Sequence, residues 1–495
     1  MKREQWGSRA GFILAAVGSA VGLGNIWRFP YMTYQNGGGA FLIPYLFAML
    51  TAGIPFMIME FSLGSKLKGA APRVFSKLNV KLEWLGWFQV TILAVIGLYY
   101  LAVIGWTISY FKFSFTQAWG SDPNTFFFKE YLQLDGSPSK LGAIQWHIAI
   151  PMAIAWAVTF NTVFRGVKSG IEKLSKILMP VLFVMVLFLI VRISFLDGAM
   201  NGLNFMFKPD FSKLLDPKVW AAAYGQIFYS LSIGFSIMLA YSSYLPEKSD
   251  INNNAFLTVF LNCGFSLLAG IMIFGTLGYM AAAQGKEVTD VVNSGVGLAF
   301  VTLPAVINLL PAPYILGPLF FLTLLIAGMS SHISIIEAIV ASLIDKFNWT
   351  RHRAAVVVCG LGVIASMMFA TNGGLFLLDV VDYFINHFGI LTSCFVELII
   401  VGWIFKISDI TQYANHHSEF AIGTWFIICI RFISPLVLAT IIYQDLYTTI
   451  TKGYGGYEMS DLMTRGWGVI VGMLVIGILI NIFTRPSSYI HSEEA

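Results

Sequence analysis

Charged residues are scarce in this chain. Of its 495 residues only 11% are Asp, Glu, Lys or Arg, whereas 57% are hydrophobic, and the mean hydropathy is +0.75. A soluble domain carries about 25% charged residues, so the composition excludes a soluble enzyme or a soluble binding protein. The net charge of +4 belongs mostly to short loops, and we expect no nucleic-acid partner. The lipid bilayer is the surrounding that this composition predicts.

Cysteine is also rare, and catalytic motifs are missing. The four cysteines all fall in apolar runs without metal-ligand spacing, so neither a metal centre nor a disulfide framework is expected; they are Cys263, Cys359, Cys394 and Cys429. The chain has no zinc motif, no nucleophile elbow and no His–Cys pair. We therefore expect no catalytic residues and no enzyme activity.

Long hydrophobic runs are what the chain has instead. A helix of about 20 apolar residues crosses the hydrocarbon core of a bilayer. The sequence predicts an all-α polytopic membrane protein whose 495 residues form a single transmembrane domain. Twelve candidate spans lie at 10–34, 40–65, 86–112, 147–163, 172–194, 219–245, 255–284, 314–344, 354–370, 376–404, 418–444 and 465–484.

Lysine and arginine predict the orientation. Cytoplasmic loops carry an excess of these residues, which here concentrate before the first span, between alternate pairs of later spans and after the last. We expect a multi-pass protein of the plasma membrane with both termini in the cytoplasm and an external loop at 114–146. The lysines and arginines from which this orientation is predicted are Lys2, Arg3, Arg9, Lys66, Lys68, Arg73, Lys77, Lys81, Arg165, Lys168, Lys173, Lys176, Lys346, Arg351, Arg353 and Arg485.

Two of the predicted spans contain interruptions. The first span holds glycines at 18, 22 and 24 and then Asn25, and the sixth holds Ser230 and Ser232 beside Gly234. A broken helix frees backbone groups that hydrocarbon cannot satisfy, and matched breaks in two halves indicate a transporter binding site. Tight packing of small residues is the alternative. The spacing predicts an inverted repeat of five plus five helices, 1–194 and 219–404, followed by two helices in 418–484.

Several long motifs resemble the sodium-coupled neurotransmitter and amino-acid symporters. The resemblance covers nearly the whole chain and implies the fold in which helices 1 and 6 are broken at mid-membrane. The segments that carry it are Arg3–Trp6, Ala20–Pro30, Asn36–Tyr45, Gly53–Glu60, Tyr99–Tyr100, Asn262 and Ala327–Ser331.

The resemblance implies two sodium sites. Sodium, like other hard cations, takes oxygen ligands. Taken alone, Ser330 and Ser331 could hydrogen-bond to carbonyls of their own helix, and Asn262 could hydrogen-bond to a neighbouring helix. The two sodium sites are therefore inferred from the combination of these residues with the two broken helices. The first site would use the Ala20 carbonyl, the side chains of Asn25, Ser230 and Asn262, and the substrate carboxylate. The second would use the carbonyls of Gly18, Val21 and Ala327 and the hydroxyls of Ser330 and Ser331.

The resemblance also implies a chloride site. Relatives that do not use chloride commonly place a carboxylate where this chain has Ser266, and two sodium ions need a compensating negative charge. Glu60 is the rival source of that charge, and plain packing of Ser266 is a further alternative. The expected chloride ligands are Tyr45, Gln226, Ser230, Asn262 and Ser266.

The substrate is expected to be a small zwitterion. By resemblance, the N–H groups of Leu23 and Gly24 and the Tyr100 hydroxyl would bind a carboxylate. Gly22 has no side chain where monoamine carriers of the family have an aspartate, so the substrate must bring its own acid. An ammonium group would meet the carbonyls of Ala20, Tyr229 and Ser230 and the Ser232 hydroxyl. The side-chain end would be lined by Ile96, Tyr100, Tyr229, Phe235, Ser331 and Ile335.

Two charged pairs match gates. The resemblance implies an outer pair of Arg28 and Asp382, and an inner pair of Arg3 and Asp345 backed by Tyr244. The function it implies is sodium- and chloride-coupled symport of a neutral amino acid by alternating access. The alternative is an amino-acid sensor with the same fold, which would bind its ligand without accumulating it. The oligomeric state has no signal in the sequence.

Overall fold

Membrane-length helices dominate the architecture. The computed structural model describes residues 3–291 and 295–484, so Lys2 and Arg485, which contributed to the predicted orientation, lie outside it. Ten helices are long and apolar enough to cross a membrane, and the described residues contain no strand, only isolated bridges. They are Gly39–Leu67, Val80–Phe113, Trp146–Phe164, Val167–Ser194, Ile251–Gln284, Pro313–Phe347, Arg351–Ala370, Gly374–Ile404, Thr424–Lys452 and Met459–Phe483.

The first and sixth spans are broken, as the sequence predicts. The first consists of Arg9–Ala20 and Gly24–Gln35, which meet at 55° and count together as an eleventh span. The sixth is divided into Pro217–Ser230 and Ile237–Ser242, each too short to cross a membrane alone. These two complete the twelve expected positions and confirm an all-α polytopic membrane protein. The inverted relation between 1–194 and 219–404 stays a prediction.

Left-handed backbone ends the first half of the sixth span. Ser232, Gly234 and Ser236 have φ values of 54°, 79° and 76°, and a right-handed helix cannot continue through such residues. Gly234 is required for a second reason, since a Cβ there would lie 1.9 Å from the Cys394 sulfur. The Gly234 N–H donates to Glu60 Oε1 at 3.1 Å, and its carbonyl accepts from Ser393. Neighbouring spans thus satisfy backbone groups that the break frees.

The inner helices surround the two breaks. The third and eighth spans pack against each other along their length, and the eighth also contacts the first. The eighth is the most buried of the membrane-length helices and the twelfth the most exposed, as expected for a helix that faces lipid. Shorter helices lie between the spans at Ala71–Leu78, Pro123–Thr125, Phe126–Tyr131, Ala199–Phe207, Phe211–Leu215, Val288–Val291, Gly295–Leu309 and Ile407–His416.

Candidate functional site

A small cavity lies between the two helix breaks. Its volume is about 60 Å³, and every residue predicted to bind substrate lines it. Those residues are Ala20, Leu23, Gly24, Ile96, Tyr100, Tyr229, Ser230, Ser232, Phe235, Ser331 and Ile335. The tenth span also contributes Asn386 and Ile390, which were not predicted because the sequence does not show which face of this span meets the cavity.

Backbone and hydroxyl donors meet at one end of the cavity. The Leu23 N–H lies 3.3 Å from the Tyr100 hydroxyl, so two of the three groups predicted to bind a carboxylate are adjacent. A Cβ on Gly22 would lie 3.0 Å from the Ser331 hydroxyl and 3.1 Å from that of Tyr100. A Cβ on Gly24 would approach the Tyr229 ring to 2.4 Å. The two glycines therefore leave space that a side chain would fill.

A ring of polar side chains surrounds Asn25. Its Oδ1 accepts from the Gly22 N–H at 2.9 Å, and its Nδ2 lies 3.1, 2.9 and 2.8 Å from oxygens of Ser230, Asn262 and Ser266. An amide nitrogen has two N–H groups, one fewer than the oxygens around it. Such a set of convergent oxygens suits a hard cation, which accepts more than two. Three of the four residues predicted for the first sodium site are in direct contact here; the fourth, Ala20, lines the adjacent cavity.

Carbonyl groups of the first span converge on the eighth. The Ser331 hydroxyl lies 3.2 Å from the Ser19 carbonyl, 3.4 Å from that of Val21 and 3.2 Å from that of Ala327. Ser330 lies 3.0 Å from the Ala327 carbonyl. Four of the five groups predicted for the second sodium site, those of Val21, Ala327, Ser330 and Ser331, are therefore close together. The Ser19 carbonyl, which was not predicted, lies beside them.

The Ser19 carbonyl is part of the candidate site, although Ser19 was not among the predicted residues. Its carbonyl also accepts from Ser232, at 3.2 Å, so one carbonyl joins the first, sixth and eighth spans. A backbone carbonyl is present at every residue and leaves no mark in the sequence. Only the break between Ala20 and Gly24 exposes this one.

Two buried donors of the predicted chloride site lack acceptors. Within the described part of the chain, the Tyr45 hydroxyl and the Gln226 Nε2 have no hydrogen-bond partner. Arg28 donates to Gln226 Oε1 at 3.2 Å, which leaves the amide N–H groups for another acceptor. Since a buried unpaired donor is costly, a small anion fits these residues. The rival acid, Glu60, is buried beneath the sixth break and binds the Gly234 N–H.

A larger vestibule of about 680 Å³ lies next to the cavity, and the two share Tyr229, Asn386 and Ile390. Arg28 lines the vestibule and stacks over the Tyr229 ring, 4.7 Å from its centroid. No ion pair joins Arg28 to Asp382 among the described residues. The predicted outer pair is therefore apart in this structure, and the cavity and the vestibule have part of their walls in common.

The predicted inner pair is joined. Arg3 Nη1 lies 2.5 Å from Asp345 Oδ1, and Arg3 also binds Ser243 and stacks over the Tyr244 ring. The Tyr244 hydroxyl donates to Glu337 at 2.7 Å. We call this face of the molecule the latch face.

A second set of charges extends the latch. Arg351 binds Glu337 through two hydrogen bonds, of 2.6 and 2.9 Å, and Glu4 through one of 2.6 Å. Glu4 also accepts from the Val167 N–H. Sequence reasoning counted Arg351 only as a loop charge and gave no role to Glu4 and Glu337, because a single sequence does not show which charged residues pair in the fold.

Comparisons with known proteins give consistent matches over nearly the whole chain. A family model described as the sodium:neurotransmitter symporter family matches residues 3–124 and 119–486. The chain is similar to an uncharacterized sodium-dependent transporter of Methanocaldococcus jannaschii, with 42% identity over 96% of both chains. It is 30% identical to the human sodium- and chloride-dependent creatine transporter 1 over 90% of this chain and 77% of that one. It is 30% identical to the bovine sodium- and chloride-dependent GABA transporter 2, over 96% and 85%.

Proposed function

The chain belongs to the sodium:neurotransmitter symporter family, and from this premise we propose that it transports a small neutral amino acid, or a similar zwitterion, together with two sodium ions and chloride. Membership makes the protein a sodium-dependent symporter rather than an enzyme. The finer statements, on substrate, chloride and ion number, are proposals that the geometry of the site supports.

The contact of Ser331 with the first span carries the proposal. A hydroxyl among three carbonyls is a weakly satisfied arrangement, because one O–H can donate to only one of them at a time. A sodium ion would accept all of these oxygens at once. Its binding would hold the first half-helix against the eighth span, so that ion occupancy and helix position are linked.

Coupling to substrate would occur at the Asn25 ring. A substrate carboxylate bound by the Leu23 N–H and the Tyr100 hydroxyl would lie beside the cation held by Asn25 and Ser230. Each charge alone is costly to bury, whereas the pair offset one another. The substrate and this sodium ion would therefore bind better together than separately.

Chloride would supply the remaining negative charge. Tyr45, Gln226 and Ser266 offer three donors to an anion that lies next to the Asn25 ring, and two of these donors have no partner among the described residues. The relatives named for creatine and GABA are called chloride-dependent, which supports the same assignment. Their substrates are also small molecules that carry both an acid and a basic nitrogen.

Transport would proceed by alternating access. In this structure the cavity adjoins the vestibule, and the latch face is held by Arg3 and Asp345. Closure would bring Asp382 to Arg28 above the substrate, and release would need the latch pair to separate. The vestibule face would be external and the latch face cytoplasmic, with the protein in the plasma membrane.

Competition between acids and amines tests the substrate class. In proteoliposomes with an inward sodium gradient, unlabelled neutral amino acids should compete with the labelled one, and GABA and taurine belong in the same screen. The decarboxylated amines should not compete, because they lack the carboxylate that the Leu23 N–H would bind. Equal competition by an amino acid and its amine would contradict the proposal. Gly22→Asp is the matched variant, since its side chain would occupy the carboxylate position and abolish amino-acid uptake.

A further inference from the structure

One residue in the wall of the cavity carries a buried acceptor atom that lacks a donor. Of the side-chain atoms in residues that line the cavity, Ser19 Oγ and Asn386 Oδ1 are buried without a partner in the described part of the chain. The Ser19 hydroxyl can rotate towards carbonyls of its own helix. An amide oxygen has no hydrogen to turn, so Asn386 Oδ1 needs a donor from elsewhere.

The assignment of that oxygen is fixed by its neighbour. Asn386 Nδ2 donates to the Asp382 carbonyl at 2.8 Å. A carbonyl oxygen cannot donate, so the amide atom that faces it is the nitrogen and the other is the oxygen. The segment Ile385–Ile390 is π-helical, a local widening that is frequent at functional sites. The next residue, His387, is held by Asp445 at 2.7 Å, which fixes the orientation of this part of the tenth span.

Asn386 lies on the boundary between the cavity and the vestibule, together with Tyr229 and Ile390. The Leu23 N–H and the Tyr100 hydroxyl, the proposed carboxylate donors, belong to the first and third spans. A substrate held by those donors would direct its other end towards Ile96, Phe235 and the tenth span. The aromatic and aliphatic members of that set offer no hydrogen bond.

We propose that Asn386 selects substrates that carry an O–H or N–H donor at the end distal to the carboxylate, such as small hydroxyl or amide amino acids. This inference rests on the proposed function and adds a class to it. A donor-bearing substrate satisfies Asn386 Oδ1, whereas an apolar isostere leaves it buried and unpaired, which a binding site disfavours. The small cavity, about 60 Å³, favours a short side chain over an aromatic one.

Isosteric substrate pairs test this inference. Threonine and valine differ by a hydroxyl in place of a methyl group, and serine and 2-aminobutyrate form a second pair. In sodium-driven uptake by proteoliposomes, the kcat/KM of the hydroxyl member should exceed that of its partner by about tenfold, which corresponds to about 1.4 kcal/mol. Asn386→Leu should reduce that ratio to about one. Ile390→Leu, which alters the same wall without a polar change, should keep it.

The outcomes separate the inference from the proposed function. A wild-type ratio near one in both pairs, or an Asn386→Leu protein that keeps the preference, would overturn the role of Asn386. Sodium-driven uptake of apolar amino acids without uptake of hydroxyl amino acids would also overturn the role of Asn386, but it would agree with the proposed function. Absence of sodium-driven uptake of every amino acid would refute both. If Asn386→Leu fails to fold, Asn386→Thr is the second variant. It retains an acceptor oxygen and should keep part of the preference for the hydroxyl substrate. The wild-type kcat/KM ratios of the two substrate pairs test the inference without any variant.

Discussion

Ser331 illustrates how single residues of the site act. Its hydroxyl touches carbonyls of Ser19 and Val21 on the first span as well as that of Ala327 on its own helix. Ser342, about three turns further along, is also buried, but its hydroxyl donates to the Ala338 carbonyl of the same helix. The two serines have the same chemistry and differ in what they join.

This difference predicts the effect of removing each hydroxyl. Ser331→Ala should raise the sodium concentration for half-maximal uptake at least about tenfold, because one oxygen ligand is lost from a site without a charged ligand, a loss of about 1.4 kcal/mol. Ser342→Ala should leave it unchanged. The measurement is initial uptake against sodium concentration. An unchanged sodium dependence in Ser331→Ala would remove Ser331 from the ion site.

The unpaired donors of Tyr45 and Gln226 lead to a second expectation at this scale. Replacing chloride by gluconate should strongly reduce sodium-driven uptake, since the donors and the sodium charges would lose their anion. Ser266→Glu should restore uptake without chloride, because a fixed carboxylate supplies the same charge. Ser266→Gln is the control, with similar volume and no charge, and should stay chloride-dependent. Wild-type uptake that ignores chloride would assign the balancing charge to Glu60 instead.

Polar residues in the apolar runs of the sequence were sufficient to predict the side chains that come together in the candidate site. Asn25, Asn262 and Ser331 are polar residues in apolar runs, and the structure brings each to the expected cluster. The Ser19 carbonyl and the Asn386 amide were not found. The first belongs to a backbone group that every residue has, and the second depends on which face of the tenth span meets the cavity, which hydropathy alone does not give.

At the element scale, the breaks in the first and sixth spans organise the site. Three left-handed residues within 232–236 end the helix, and spans two and ten bind the freed backbone groups of Gly234. The sequence predicted both breaks because glycine and polar residues are unusual in the middle of an apolar run. It did not predict the angle of 55° in the first span, which depends on how neighbouring helices pack.

Glycine substitutions test the sixth break. Gly234→Ala should abolish uptake and lower the melting temperature by at least a few degrees, because its Cβ would overlap the Cys394 sulfur and its φ of 79° disfavours a side chain. Gly264→Ala is the control, since nothing lies within 4 Å of a Cβ there. In that helix interior alanine should add roughly 0.5–1 kcal/mol of stability. A stable, active Gly234→Ala protein would contradict the account of the break.

At the scale of the whole molecule, the two faces differ. The vestibule adjoins the cavity on one face, where Arg28 and Asp382 are apart, and the pair of Arg3 and Asp345 holds the other face. The family resemblance predicted both charged pairs but not which of them is joined, because a single sequence encodes both states of a transporter. Which pair is joined depends on the relative free energies of the two states, which differ by a few kcal/mol.

Removing one member of the latch should shift this balance. Arg3→Ala deletes the contact with Asp345 and Ser243, worth about 1 kcal/mol, and should increase opening of the latch face about fivefold. A cysteine at Ser334, which lies beside Tyr241 between the cavity and the latch, reports this opening by its labelling rate. The four native cysteines are buried and add little background.

Arg9→Ala is the control for the latch experiment. Arg9 pairs with Asp250 at 3.4 Å near the same face, but its side chain is 44% exposed, so its removal should not change labelling. Equal labelling of all variants would show that the Arg3 pair does not hold that face closed.

Accumulation against a gradient tests the central claim most directly. Purified protein in sealed proteoliposomes should concentrate a labelled small neutral amino acid above its external level when sodium is higher outside. The accumulation should disappear when sodium is equal on both sides or replaced by potassium, and in Asn25→Ala. Equilibration without concentration, binding without uptake, or accumulation that is indifferent to the sodium gradient would contradict sodium-coupled symport.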